Sequence, residues 1–260
     1  MRPIVFVLSL ALLWPASVLA ATNASPDEGN ANDAISAALA DPARSDDADD
    51  DARRKPGAVL RFAGLEPGQK VLELIPGGGY WTRIFSAVVD KQGHVYELIP
   101  DEVASAHQSM VPAILEIIED RHYRNVSLLR QPAAELSTPE PVDLVFTAQN
   151  YHDYMNMLPV DPKADAVSLD TQAFAALKPG GVFLITDHVA APGAGVSQTD
   201  TLHRIEPAVV KAQAEAAGFV FEGASDALRN PDDSHDKKVF DPSIRGHTDQ
   251  FIYKFRKPMQ

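Results

Sequence analysis

From residue 52 onward, short apolar runs alternate with stretches of helical periodicity, and this alternation does most to limit what the chain can fold into. A run of four to eight apolar residues bounded by turn signals suits a strand buried on both faces. Repeated strand–helix alternation then implies crossover connections and a mainly parallel sheet. The pattern predicts strands at Lys70 to Ile75, His94 to Ile99, Asn125 to Leu129, Val142 to Phe146, Val182 to Thr186, Phe219 to Gly223 and Gln250 to Phe255. Between them it predicts helices, among them one from Tyr80 to Val89 and a long one over 102–119 that bends or restarts at Pro112, because proline lacks the amide a helix interior uses. A further helix stops at Lys178-Pro179-Gly180-Gly181, and another opens at Glu206-Pro207 and closes at Gly218. The long polar insertion before the last strand suits an antiparallel return.

Upstream of this region the chain changes character. Arg2, an apolar run from Ile4 to Leu13 and the small-residue exit Val18-Leu19-Ala20 have the form of a cleavable secretory signal, too short to span a bilayer. A periplasmic or secreted protein without a membrane anchor after cleavage is therefore expected. Residues 21–51 carry nine of the 36 acidic side chains against one arginine, so this stretch holds −8 of the formal −13 net charge. Such a composition buries little apolar surface, and the expected division is a signal at 1–20, an acidic solvated linker at 21–46 and one globular domain at 47–260. The Asp46 to Asp51 cluster is expected to be the solvated start of a helix. An acidic chain is a poor partner for nucleic acid. Cysteine is absent, which removes thiolate metal sites, disulfides and a cysteine nucleophile, so any chemistry rests on His, Asp, Glu and Tyr.

The chemistry signal concentrates in Glu73-Leu74-Ile75-Pro76-Gly77-Gly78-Gly79-Tyr80-Trp81-Thr82. A strand running through three glycines into a helix lets a ligand approach the backbone and meet the amides of the helix N-terminus. The strict dinucleotide pattern is missing, since Thr82 stands where its third glycine would be. Glu97, 20 residues after Gly77, would fit the ribose acid of a dehydrogenase, which leaves that class as a third reading. A second cluster follows the fourth strand, Gln149-Asn150-Tyr151-His152-Asp153-Tyr154, and Asp187-His188 ends the fifth; in an open sheet both belong to the edge where ligands sit. His152, oriented by Asp153 or Asp187, is the candidate general base, with His188 and His203 behind it. Tyr80, Trp81, Tyr151 and Tyr154 are candidate pocket walls, and the 226–247 loop a candidate cover. No metal is expected, because no short spacing such as HxxxH supports a site built from His152, Asp153, Asp187 and His188.

The runs VLELIPGGGYWT, HVYELIPDE, DLVFTAQNYHD and LKPGGVFLITDH, with the closing strand pair, resemble the class I S-adenosylmethionine-dependent methyltransferases over about residues 47–258, and look closest to exported bacterial predicted methyltransferases. The resemblance implies a Rossmann-like, seven-stranded, mostly parallel sheet with helices on both faces and a C-terminal antiparallel strand. It implies S-adenosylmethionine as cofactor and a small-molecule methyl acceptor. Carried over by position, Glu73 begins the glycine motif, and Gly77, Gly78 and Gly79 pass beneath the methionine and ribose, with Tyr80, Trp81 and Asn150 nearby. Ile75 departs from the glycine usual there. The ribose acid falls to Glu97, Asp101 or Glu102, since Ile99 occupies its usual place, and Gln131 takes the adenine-side position normally held by aspartate. A non-catalytic binding protein or scaffold that keeps this fold is the alternative.

Overall fold

A computed structural model describes residues 26–157 and 168–259; the expected signal segment lies outside them. The chain begins with α1 (Pro26–Leu39), α2 (Asp51–Arg54) and α3 (Pro56–Ala63). β1 (Lys70–Leu74), α4 (Tyr80–Val89), β2 (His94–Pro100), α5 (Asp101–Ala106), α6 (Met110–Glu119) and β3 (Val126–Gln131) form the first half of the sheet and its crossovers. β4 (Val142–Ala148), α7 (Tyr151–Met157), α8 (Leu169–Ala176), β5 (Leu177–His188), α9 (Pro207–Ala216), β6 (Val220–Ser225) and β7 (Gln250–Arg256) form the second.

The seven strands lie in the order β3-β2-β1-β4-β5-β7-β6, and β7 runs antiparallel to both its neighbours. All other pairings are parallel. This is the expected Rossmann-like sheet with its antiparallel return. Val71, Leu74, Val95, Leu98, Val145, Phe146, Phe183 and Leu184 are buried in its centre, as crossover helices on both faces require. Each such side chain contributes about 1.5–3 kcal/mol by leaving water.

Three boundaries differ from expectation. The long 102–119 helix is two helices, and the break falls at His107 to Ser109, which places Pro112 in the first turn of α6, where its missing amide costs nothing. The Lys178–Gly181 turn continues β5 with a register shift against β4 between Val142 and Leu144. The acidic segment is folded from residue 26: Ile35 and Ala38 of α1 are buried in the same core as α4. Average composition concealed two well-spaced apolar positions on one helical face. Its acids are also not all solvated. Asp51 ion-pairs with the buried Arg44 at 2.8 Å and accepts from Tyr80 at 2.6 Å, while Asp47 pairs with Arg83 at 3.1 Å. The N-terminal segment is thereby fastened to the start of α4. No helix of the described residues is long and apolar enough to cross a membrane.

Candidate active site

A crevice of about 580 Å³ opens beyond the carboxyl ends of β1 and β4, where the strand order reverses. Its size suits a small ligand. One end is made by the glycine turn. Gly77 and Gly79 hold left-handed backbone angles, at φ 62° and 83°, and Gly79 caps α4. A side chain at Gly79 would meet Ile117 Cδ1 at 2.1 Å, so this glycine is required by packing as well as by backbone angle. At Gly78 nothing lies within 4 Å of where a Cβ would stand, and the residue faces open crevice. Close packing at Gly79 and free space at Gly78 set neighbouring glycines apart: one is fixed by the fold, the other leaves room at the crevice wall.

Ile75 precedes this turn at φ 54°, a strained angle for a β-branched residue. Asn150 holds it there, donating its side-chain amide to the Leu74 carbonyl at 3.3 Å and the Ile75 carbonyl at 3.1 Å. Gln149, also left-handed at φ 62°, turns the chain from β4 into α7. Asn150 thus ties the ends of β1 and β4 together across the crevice floor.

Two carboxyls face each other across β1 and β2, of which Glu73 lines the crevice. Glu73 of β1 stands opposite Glu97 of β2 and accepts from Thr82 Oγ1 at 2.9 Å. Burial pushes the Glu73 carboxyl up to about 7, and burial together with the charge of Glu73 pushes Glu97 well above its ordinary range. Glu97 is wholly buried three residues before the end of its strand and does not line the crevice, which removes it as the ribose acid. Asp101 turns outward to Arg130 at 2.6 Å. Glu102, in the first turn of α5, does line the crevice, with one oxygen accepting from the Ala133 amide at 3.0 Å. Gln131 is turned away and closes its own loop on Ser137, at 2.8 and 3.1 Å, so it does not serve the crevice.

The other end is built from side chains. His152, in the first turn of α7, is 2% exposed; its Nδ1 donates to Asp187 at 2.8 Å, and its backbone amide donates to the same carboxylate at 2.8 Å. Nε2 lies 3.3 Å from Asp153 Oδ1 and 3.2 Å from His203 Nδ1. Burial alone would lower this imidazole, but Asp187 and Asp153 outweigh it and hold it at about 10. Asp187, fully buried, stays below the usual carboxylate range: burial would raise it, and the His152 charge and hydrogen bonds prevail. It lies under His152 without reaching the crevice, so it positions the ring. His188 pairs with Thr248 at 2.7 Å, and burial pushes its imidazole down to about 4. The ring expected to act as a general base is thus held by Asp187 at Nδ1, while its Nε2 faces Asp153 and His203.

Of the aromatic candidates, Tyr80 and Trp81 line the crevice, while Tyr151 and Tyr154 are fully buried in the core. The 226–247 loop does reach the crevice through Val239 and Phe240. It is clamped by a buried pair, Arg204 with Asp233 at 2.9 Å, and by Asp249, which accepts from Arg229 at 2.8 Å and from the Asn230 amide at 2.7 Å. The Lys178–Gly181 turn lies at the opposite edge of the sheet, lining a separate hollow of about 350 Å³.

No protein-family model and no curated protein matches the chain. Solved structures do. A SAM-dependent methyltransferase from Aquifex aeolicus is similar at a TM-score of 0.52 and 19% identity, over 87% of this chain and 98% of that one. The chain has the class I methyltransferase fold. The cyclase SpnF is similar at a TM-score of 0.58 and 17% identity, over 80% of this chain and 82% of that one. The methyltransferase fold thus also occurs in a protein named as a cyclase, and the reaction must be argued from the site.

Proposed function

We propose that the chain is an S-adenosylmethionine-dependent methyltransferase acting on a small-molecule acceptor. The observation that carries this reading is the glycine turn: left-handed Gly77 and Gly79 present α4's first amides to a crevice that stands open above Gly78, at the switch point of this fold. S-adenosylmethionine, when bound, supplies a methyl group on a sulfonium. Gly77, Gly78 and Gly79 would carry its methionine and ribose, with Tyr80, Trp81 and Asn150 at the walls and floor. Glu102 replaces Glu97 as the acid for the ribose hydroxyls, since two carboxylate oxygens suit a vicinal diol. Alignment of acceptor and methyl supplies much of the rate in such a displacement, and the rigid tie from Asn150 to β1 serves that alignment. The acceptor belongs at the His152–His203 end.

The leader features at Arg2, Ile4 to Leu13 and Ala20 support export of this enzyme to the periplasm or beyond. A mature chain beginning at Ala21, read by mass spectrometry of the secreted product, is the expected outcome.

Gln131, turned away from the crevice, favours a second reading, a ligand-binding protein that has kept the fold without the reaction. Calorimetric titration with S-adenosylmethionine, S-adenosylhomocysteine and NAD separates the readings. Saturable heat with the first two and none with NAD is expected. No heat from S-adenosylmethionine or S-adenosylhomocysteine at millimolar concentration rules the methyltransferase out.

A further inference from the structure

Three donor atoms at the histidine end form a nearly equilateral triangle. His152 Nε2 is 3.2 Å from His203 Nδ1 and 3.3 Å from Asp153 Oδ1, and the last two are 3.5 Å apart. A divalent metal about 2.0–2.1 Å from each of three donors, at tetrahedral angles, spaces those donors about 3.3–3.4 Å from one another. We infer that His152, Asp153 and His203 form a zinc-class metal site with a fourth position open to the crevice.

The surroundings fit. Nδ1 of His152 is taken by Asp187 at 2.8 Å, so a cation that displaces the proton from Nε2 meets a ring already oriented by the carboxylate–histidine support common behind metal-bound imidazole. His203 is held at φ 54°, a left-handed angle unusual for histidine, with its ring against Phe240 at 4.9 Å between centroids. Its Nδ1 faces His152 from 51 residues further along the chain. All three side chains line the crevice, so a cation there is reachable by a ligand. Two imidazoles and one carboxylate suit zinc or a neighbouring transition ion, whereas magnesium and calcium favour all-oxygen sites. Among the described residues, this is the group of three His, Asp or Glu side chains spaced to hold an ion.

The metal site stands on its own geometry; that its open position takes the methyl acceptor, through a hydroxyl, thiol or carboxylate, rests on the methyltransferase reading. The test uses full-length protein stripped with a chelator and titrated with zinc chloride against a chromogenic competitor. One equivalent should bind. His203→Ala and Asp153→Ala, at part-exposed positions where folding survives, should each weaken zinc about 100-fold, and Asp187→Asn about 10- to 100-fold. His122→Ala, a surface histidine paired with Asp41, should bind as the parent does. Absence of zinc binding in the parent, or parent-like affinity in both His203→Ala and Asp153→Ala with unchanged circular dichroism, overturns the site. Titration of the metal-free protein with S-adenosylmethionine separates the two ideas: retained cofactor binding without zinc binding sinks the metal site alone, and zinc binding without cofactor binding sinks the methyltransferase reading alone.

Discussion

At one end of the crevice the backbone makes the site, through Gly77, Gly78 and Gly79 at the start of α4; at the other, side chains from α7, the end of β5 and the loop before α9 make it. A backbone site is local, depends on angles and close approach, and tolerates no Cβ at Gly79. A side-chain site is distributed, depends on charge balance, and is only as rigid as Asp187 makes it. Substitutions should therefore act differently at the two ends. Glycine changes should act through shape, and carboxylate changes through uncompensated charge.

The largest effect is expected at Asp187→Ala. The buried carboxylate accepts from the His152 ring and from the His152 and His188 amides, so its loss strips a buried imidazole of its fully buried partner and orphans two amides, and should cost about 3–5 kcal/mol in urea unfolding. Cofactor affinity of the remaining folded protein should move by less than about threefold, since additivity holds for sites without shared partners. A stability loss below about 1 kcal/mol would break the contrast between the two ends.

Gly79→Val comes next. Its Cβ would strike Ile117 Cδ1 at 2.1 Å on a left-handed backbone, and a loss of about 2–3 kcal/mol in the same unfolding measurement is expected. A parent-like value would mean that α6 yields freely and that the turn is not fixed by packing.

The paired carboxyls of β1 and β2 give a smaller, pH-dependent effect. Both are held above their ordinary range, so the folded chain keeps protons that the unfolded chain releases. Their stabilisation is full below the ordinary carboxylate pKa and declines as pH rises through about 7, where Glu73 ionises. Glu97→Gln removes one of the two charges and should flatten that decline by on the order of 1 kcal/mol between about pH 5 and 8. An unchanged slope would show that the pair does not govern it. Ile75→Gly should matter least: relief of left-handed strain, about 1 kcal/mol, nearly offsets the added chain entropy, leaving stability within about 0.5 kcal/mol.

The same contrast accounts for what was legible in the sequence. The glycine end is encoded in ten consecutive residues, and the bounds of α4, Tyr80 to Val89, match expectation because periodicity and glycine punctuation are local signals. The sheet followed from apolar runs, its antiparallel return from the length of the final insertion. The histidine end was half legible. His152, Asp153 and Asp187 stood out beside the strand ends, but His203 joins them from 51 residues away through a strained loop that no periodicity marks. Glu97 and Gln131 misled for the opposite reason: their spacing suits a cofactor site, while strand register buries one and a loop hydrogen bond turns the other aside. Tyr151 and Tyr154 were ambiguous because a helix beside a crevice also has an inner face. The α1 helix was hidden by its acidic composition, in which Ile35 and Ala38 count for little on average and a great deal by position.

The central claim is that Gly78 is a cradle for S-adenosylmethionine while its neighbour Gly79 is a requirement of the fold. Calorimetric titration of Gly78→Leu with S-adenosylmethionine, beside the parent protein, tests it directly. A Cβ at Gly78 meets nothing within 4 Å and the rest of a leucine side chain would project from a residue that lines the crevice, so unchanged circular dichroism and complete loss of the parent's binding heat are expected. Binding at the parent's affinity in the folded variant would place the cofactor elsewhere and contradict the account.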